Sequence, residues 1–440
     1  MTDTVCPRQR TARAVPRADL LSKMFASLLL LGAAQGTPAP PNFVVVLLDD
    51  VGRDKVAAYG VHPQPAATPH LDRLAERGTL FRNAWAYSSC SPTRAALLTG
   101  RLAERTGIGS VIRAGDGVDS SLARDEFTIA AALPEHRAIS LGKWHLSDTA
   151  DAALHASTLG FDAFAGWDGP NQYFTWTDNV NGALQTRVGY YPLALAERAV
   201  RVVANQREPY FLYYCPWLAH APFHEPPAFL HPTLQGPGSS RFLHLQMVES
   251  LDTLLGRLLD QIDLDTTYVI VMGDNGSPLN TTAPPFLPGR IKGSSYEGGL
   301  AVPLIVAGPG VAAGAECDRL VHVTDLFATI VELAAAPAPP RGAEDSVSFA
   351  RLLADPGGAP TRTHLTVSKF GFPGLTQNVP TFRAVRTTRW KYVDDGAGGG
   401  ERLHDLERDP FETVNLLGAT PAPTARALAD RLAELLPDLP

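Results

Sequence analysis

The 440-residue chain reads as an α/β protein: a large, mostly parallel sheet sandwiched by helices, followed by a smaller C-terminal α+β domain built on an antiparallel sheet. Three observations lead there. Short continuous apolar runs, β-branched at their centres, recur along the chain, as strands buried on both faces require. Segments with apolar residues at helical spacing lie between them, and that alternation belongs to parallel sheets covered on both sides. After a Pro-rich stretch at 336–345, which has linker composition, the pattern changes to three strands and one closing helix.

The N-terminal segment is distinct from the rest. Residues 1–19 are polar and arginine-rich, and Met24-Phe25-Ala26-Ser27-Leu28-Leu29-Leu30-Leu31 follows, then small residues. That order describes a secretory signal peptide over residues 1–36, cleaved near Ala34 or Gly36; a disordered tail with an incidental apolar patch is the alternative. The run is too short to span a bilayer, so a secreted or periplasmic protein without a transmembrane anchor is expected.

Within the first domain, 42–335, residues 43–48 form a buried strand that ends in Asp49-Asp50. Thr68-Pro69 opens a helix through Leu71, Leu74 and Ala75, and Gly78 ends it. Pro92 suits a first helical turn, Ala95 to Leu98 are strong helix formers, and Gly100 is the stop. Residues 128–133 read as helix and 138–141 as a strand running into Gly142-Lys143-Trp144-His145. Residues 162–190, rich in Asp, Asn, Gly and aromatics, read as a long irregular loop. Its Trp167, Tyr173, Phe174 and Trp176 either offer ring faces to a sugar or aryl group or pack locally.

Residues 193–205 are an amphipathic helix, and 210–214 a strand leading to Ala219-His220-Ala221-Pro222. A helix follows over 242–262, then a strand over 268–272 that ends at Gly273-Asp274-Asn275-Gly276. Residues 304–307 continue the strand series and 325–334 are helical. In the second domain, 346–440, strands are expected at 365–368, 382–386 and 390–393, and a helix at 421–436. Residues 369–382 are a candidate wall for a substrate cleft.

Formal net charge is −7, and because residues 1–36 carry five basic and two acidic side chains, the remainder stands at −10. Such a chain is a poor nucleic-acid binder, so any anion it binds needs local positive charge. Cys6, Cys90, Cys215 and Cys317 are too few and scattered for a disulfide framework and lack metal-binding spacing, although Cys215 and Cys317 could pair in an exported protein. The sequence leaves oligomeric state open.

Ligands of open α/β sheets bind outside the carboxyl ends of the strands. Asp49-Asp50, Lys143-Trp144-His145, His220, Asp274-Asn275 and Lys292 all fall just after expected strands or on the following turn. Asp49, Asp50, Asp274 and Asn275 offer only oxygen, which suits calcium or magnesium over zinc; each pair alone is also an ordinary turn or cap. Arg94, Lys143, His145, His220 and Lys292 outline an anion pocket, although a single Lys or His is usually just solvated or satisfied. Trp144 reads as packing. Cys90 opens a helix, where backbone N–H groups and the macrodipole favour an anion, and Arg94 four residues on lies on the same helix face. A buried structural cysteine is the plainer reading.

The stretch Cys90-Ser91-Pro92-Thr93-Arg94, continuing to Thr99-Gly100-Arg101, resembles the signature of the formylglycine-dependent sulfatases of the alkaline phosphatase superfamily. Asp49-Asp50, Thr68-Pro69-His70-Leu71-Asp72, Gly142-Lys143-Trp144-His145, His220-Ala221-Pro222, Asp274-Asn275-Gly276, Lys292-Gly293 with Glu297-Gly298-Gly299, and Trp390-Lys391-Tyr392 extend the resemblance over 42–417. His70 stands where Asn is common, and His224 adds a second histidine near His220.

The resemblance implies that Cys90 is oxidised to formylglycine by a maturation enzyme. It also implies a calcium ion held by Asp49, Asp50, Asp274 and Asn275 against the modified Cys90, and a sulfate-ester substrate. Arg94 would activate the nucleophile, Lys143 and Lys292 would bind sulfate oxygens, His220 with Lys292 would protonate the leaving alcohol, and His145 would assist breakdown. Two rival readings keep the fold: a phosphodiester or phosphonate monoester hydrolase of the same superfamily, and a secreted binding protein with a degenerate site.

Overall fold

β1 (Asn42–Leu48) sits inside the large sheet with neither face open to solvent. Its Phe43, Val45 and Leu47 pack into one hydrophobic core, and its Val44, Val46 and Leu48 into another on the opposite side. Period-two side chains with both sides apolar give a strand sandwiched by helices, as the run at 43–48 requires. The computed structural model describes residues 1–2, 39–113, 120–147, 151–167, 172–207, 209–371, 381–396 and 399–438. The segment read as a signal peptide and most of 369–382 lie outside the described residues. Pro40–Pro440 packs as one compact unit.

Nine further strands complete the large sheet: β2 (Thr79–Trp85), β3 (Arg137–Gly142), β4 (Ala163–Trp167), β5 (Thr175–Val180), β6 (Ala183–Val188), β7 (Tyr210–Cys215), β8 (Thr267–Gly273), β9 (Leu304–Ala307) and β10 (Ala315–His322). Their order is β10-β2-β9-β8-β1-β7-β3-β4-β5-β6. The central strands β8, β1, β7, β3 and β4 are mutually parallel, so their carboxyl ends share one edge. β9 runs antiparallel to both β2 and β8, which makes the sheet mixed but mostly parallel. The helices Tyr191–Asn205 and Ser240–Leu259 pack beside each other. They bury Leu195, Ala199, Leu251 and Leu255 in the same core as Val44 and Val46.

The second sheet is antiparallel, in the order β11 (Leu365–Lys369), β12 (Phe382–Arg386), β13 (Trp390–Asp394), β14 (Glu401–Asp405). The helix Pro423–Ala433 closes one face, where Ala429 and Leu432 pack with Val385, Tyr392 and Leu403. The other face, with Leu365, Val367, Ala384 and Val393, joins the main core.

Three sequence expectations differ from the structure. Residues 162–190 are no irregular loop: β4, β5 and β6 extend the sheet. All six residues of β6 are exposed, Leu184 and Val188 included, so no buried face marks it as a strand. β2, β10 and β14 also escaped notice, because β2 and β10 interrupt their apolar residues with Arg82, Asn83, Glu316, Asp318 and Arg319. Cys215 and Cys317 are both free and buried. β7 and β10 are five strand positions apart, roughly 24 Å at the usual spacing, far beyond disulfide reach.

Among the described residues, no helix is long and apolar enough to cross a membrane.

Candidate active site

Four neighbouring parallel strands deliver most of the site. β1 runs out at Asp49-Asp50, β8 at Asp274-Asn275, β3 at Lys143 to His145, and β7 at the segment reaching His220. The backbone is bent to aim them. Asp50 and His145 adopt positive φ, 62° and 59°, where a residue with a Cβ is strained, a feature that clusters at functional sites. Gly276 turns the chain directly after Asn275, and a Cβ there would lie 1.7 Å from the Gly298 carbonyl oxygen. Gly276→Ala is therefore expected to cost on the order of 3 kcal/mol or more, read as a lowered urea midpoint at unchanged slope.

Cys90 begins the helix Cys90–Thr99 and is buried. Its Sγ lies 3.3 Å from Lys143 Nζ, 3.8 Å from Lys292 Nζ and 3.8 Å from Asp49 Oδ1. Burial pushes the thiol up to about 12 against the pull of the two lysines, so the unmodified cysteine is no thiolate nucleophile at neutral pH. Ligand atoms of Asp49, Asp50, Cys90 and Asp274 all lie within 4.8 Å of one another.

Three buried carboxylates meet three cations. Lys143 Nζ is 2.9 Å from both Asp49 oxygens, Arg94 Nη2 is 3.0 Å from Asp274 Oδ2, and Lys292 Nζ pairs with Asp50 Oδ1. Burial alone would raise Asp49; Lys143, then His220, Arg94 and Lys292 override it and hold its pKa well below the usual range. Burial would likewise raise Asp50, and Lys292 reverses it. For Asp274, burial and repulsion from Asp49 outweigh Arg94 and push the carboxyl up to about 7.

The set fits a hard divalent cation. It holds three carboxylates and an amide but no imidazole. Asn275 Nδ2 donates to Asp50 Oδ1 at 2.8 Å, while Asn275 Oδ1 is buried with no hydrogen-bond partner among the described residues. With the carboxylates already balanced by Lys143, Lys292 and Arg94, a divalent ion would leave the pocket positive and selective for an anion.

His145 and His220 have different roles available. His145 Nε2–H donates to the Ile112 carbonyl at 2.9 Å, which leaves Nδ1 as a buried lone pair without a partner among the described residues. Burial, then Lys143 and Arg94, hold this imidazole well below its ordinary pKa, so it is neutral and able to accept a proton. His220 Nδ1–H donates to the Ala221 carbonyl at 2.8 Å and turns Nε2 toward Asp50 Oδ2, 3.8 Å away. His224 instead contacts the Tyr190 hydroxyl at 3.1 Å and lies tilted against the Tyr173 ring at 4.2 Å, so His220 is the histidine that faces the carboxylates.

All the residues picked from sequence gather here, with one difference in detail. Arg94 turns its guanidinium to Asp274 and, at 2.8 Å, to the Lys143 carbonyl, two residues that themselves border Cys90. Trp144 packs as expected, against Phe161 and Phe164, with its N–H on His155. The sequence reading gives Thr93 and Trp217 no role and offers Tyr173 only as a ring face or as local packing. The Thr93 hydroxyl donates to the Asp274 carbonyl at 2.7 Å, Tyr173 donates to the His220 carbonyl at 2.5 Å, and Trp217 lies 5.4 Å from Lys143 Nζ. Nothing local marks these three, since each acts on a residue far away in sequence. Of the aromatic segment, Trp176 is buried against Tyr191 and only Phe174 among the described rings is strongly exposed, at 49%.

Residues 41–336 match the family profile described as Sulfatase, and residues 292–438 that of the N-sulphoglucosamine sulphohydrolase C-terminal region. Arylsulfatase A of Homo sapiens is 28% identical over 459 residues, covering 91% of this chain and 88% of its own. N-acetylgalactosamine-6-sulfatase of Homo sapiens is 31% identical over 373 residues, covering 73% and 67%. The crystal structure of Ps i-CgsB in complex with k-i-k-neocarrahexaose superposes with a TM-score of 0.77 at 25% identity, over 90% of this chain and 92% of that one. A profile matched along more than half the chain, and relatives aligned over most of their length, establish that this protein belongs to the sulfatase family and is a sulfuric ester hydrolase.

Proposed function

We propose that the protein hydrolyses an aryl or carbohydrate sulfate at a formylglycine made from Cys90 by a maturation enzyme, with a calcium ion, or magnesium, beside it. The observation that carries this reading is the enclosure of Cys90 Sγ by Lys143, Lys292 and Asp49 inside the oxygen cluster. Asp49, Asp50, Asp274 and Asn275 would hold the cation, which supplies positive charge to a sulfate oxygen. The hydrated aldehyde would supply an attacking hydroxyl and a second hydroxyl whose deprotonation would allow sulfate to leave.

The remaining roles belong to side chains already in place. Lys143 and Lys292 bracket the Cys90 sulfur, so their ammonium groups can exchange carboxylate contacts for sulfate oxygens as charge redistributes. His145 Nδ1, a lone pair without a partner among the described residues, accepts the proton from the second hydroxyl. His220 and Lys292 both stand over Asp50 and together protonate the departing alcohol. Arg94 clamps Asp274 to the Lys143 loop and keeps metal ligand and sulfate donor in register. The expected setting is outside the cytoplasm, secreted or periplasmic.

Mass spectrometry of the tryptic peptide 83–94, from protein made in its native host, tests the nucleophile. The mass loss of a thiol converted to an aldehyde is expected; a fully unmodified thiol in active enzyme would refute the formylglycine route.

A further inference from the structure

We propose that Lys369 forms a second anion subsite at the mouth of the sulfate pocket, where it binds a further sulfate or carboxylate on the same substrate. The proposal rests on the reading above and deepens it to a substrate class, sulfated sugars that carry more than one negative charge.

β11 presents Leu365, Val367 and Lys369 to one face, because strand side chains alternate with period two. The first two are buried in the main core at 1% exposure. An apolar residue belongs at the third position, and the chain has a lysine there. A local rule broken at the rim of a site points to function before packing.

That lysine is poorly compensated. Its Nζ donates to the Gly293 carbonyl at 2.8 Å, and among the described residues no carboxylate lies within 4.0 Å of it. An ammonium has three donors, so one neutral carbonyl leaves both hydrogen-bonding capacity and charge to spare. The charged neighbour it does feel is another cation: after burial, Arg113 is what depresses the Lys369 pKa.

Two chain segments locate it at the pocket. Gly293 directly follows Lys292, whose Nζ is 3.8 Å from Cys90 Sγ. Arg113 directly follows Ile112, whose carbonyl accepts from His145 and whose N–H donates to Ser91 Oγ at 3.1 Å, beside Cys90. Lys369 is thus the small sheet's contribution to the rim, bonded to one site-bearing segment and within electrostatic reach of another. In a protein of net charge −7, cations gathered at a pocket mouth focus anionic ligands there.

The test uses the matured holoenzyme with Lys369→Met and Lys369→Arg. Competition against 4-nitrophenyl sulfate hydrolysis gives the affinity of three disaccharides: a monosulfated neutral one, the same with a second sulfate, and the same with a uronate carboxylate. The wild type is expected to bind at least one dianionic sugar about tenfold tighter than the monosulfated one, less so at high salt. Which one it favours tells sulfate from carboxylate. Lys369→Met should reduce that preference to within about twofold, and Lys369→Arg should keep it.

No preference in the wild type, or an unchanged preference in Lys369→Met, overturns the subsite. Equal losses for all three sugars also overturn it, because a lysine that only braces Gly293 would give that result. Calorimetric binding of the same sugars reads the subsite even where no ester is turned over, so absent hydrolysis counts against the catalytic reading alone.

Discussion

Cys90→Ser should lose at least about 10³-fold in kcat on an aryl sulfate while the urea midpoint stays within about 1 kcal/mol of wild type. The side chain makes no strong bond that the fold needs. Among the described residues its sulfur is held only by the long contacts to Lys143, Lys292 and Asp49. What serine cannot supply is the second hydroxyl on one carbon, so a sulfated serine would have no route to expel sulfate. Single-turnover experiments separate the two ways of failing. A burst of one equivalent of alcohol without turnover means attack survives and release does not, whereas wild-type steady-state rates would remove formylglycine from the mechanism.

Neutralising Asp49 should be nearly as damaging, and for two reasons at once. Asp49→Asn removes one of three carboxylates from the proposed cation site and strips Lys143 of its only carboxylate partner among the described residues, both fully desolvated. Breaking a buried pair from one side typically costs about 3–5 kcal/mol. Activity loss of about 10³-fold or more should accompany a lower melting temperature. Chelation distinguishes the two causes. In the wild type, a chelator should abolish turnover reversibly, and calcium should restore both rate and thermal stability by mass action. In Asp49→Asn, calcium should restore neither. A chelator-treated wild type with full activity would end the metal assignment.

Much of this was legible in the chain because buried parallel strands announce themselves. The runs at 43–48, 210–214 and 268–272 are apolar on both faces, and Asp49-Asp50, His220 and Asp274-Asn275 follow each of them. Once those strands are parallel neighbours, their ends must converge. What stayed hidden was chemistry without periodicity. β6 buries neither face, and β2 and β10 have charges where a buried run was sought. Lys369 enters the sequence reading only as the first residue of the candidate cleft wall at 369–382, because the strand expectation stops at 368, one residue short of the inward-facing position that gives it meaning.

The sequence by itself determined the α/β alternation, the second antiparallel sheet and the cast of the site, since strand periodicity, helix caps and residue chemistry are local properties. Tertiary structure alone decided who meets whom. Asn275 bonds Asp50 across 225 residues and Arg94 takes Asp274 across 180, pairings set by strand order. The same order separates Cys215 from Cys317, brings His145 to the Ile112 carbonyl, and brings Lys369 to Gly293. Composition names the groups that can react; the register of β8, β1, β7 and β3 places their charges close enough, away from water, for reaction to follow.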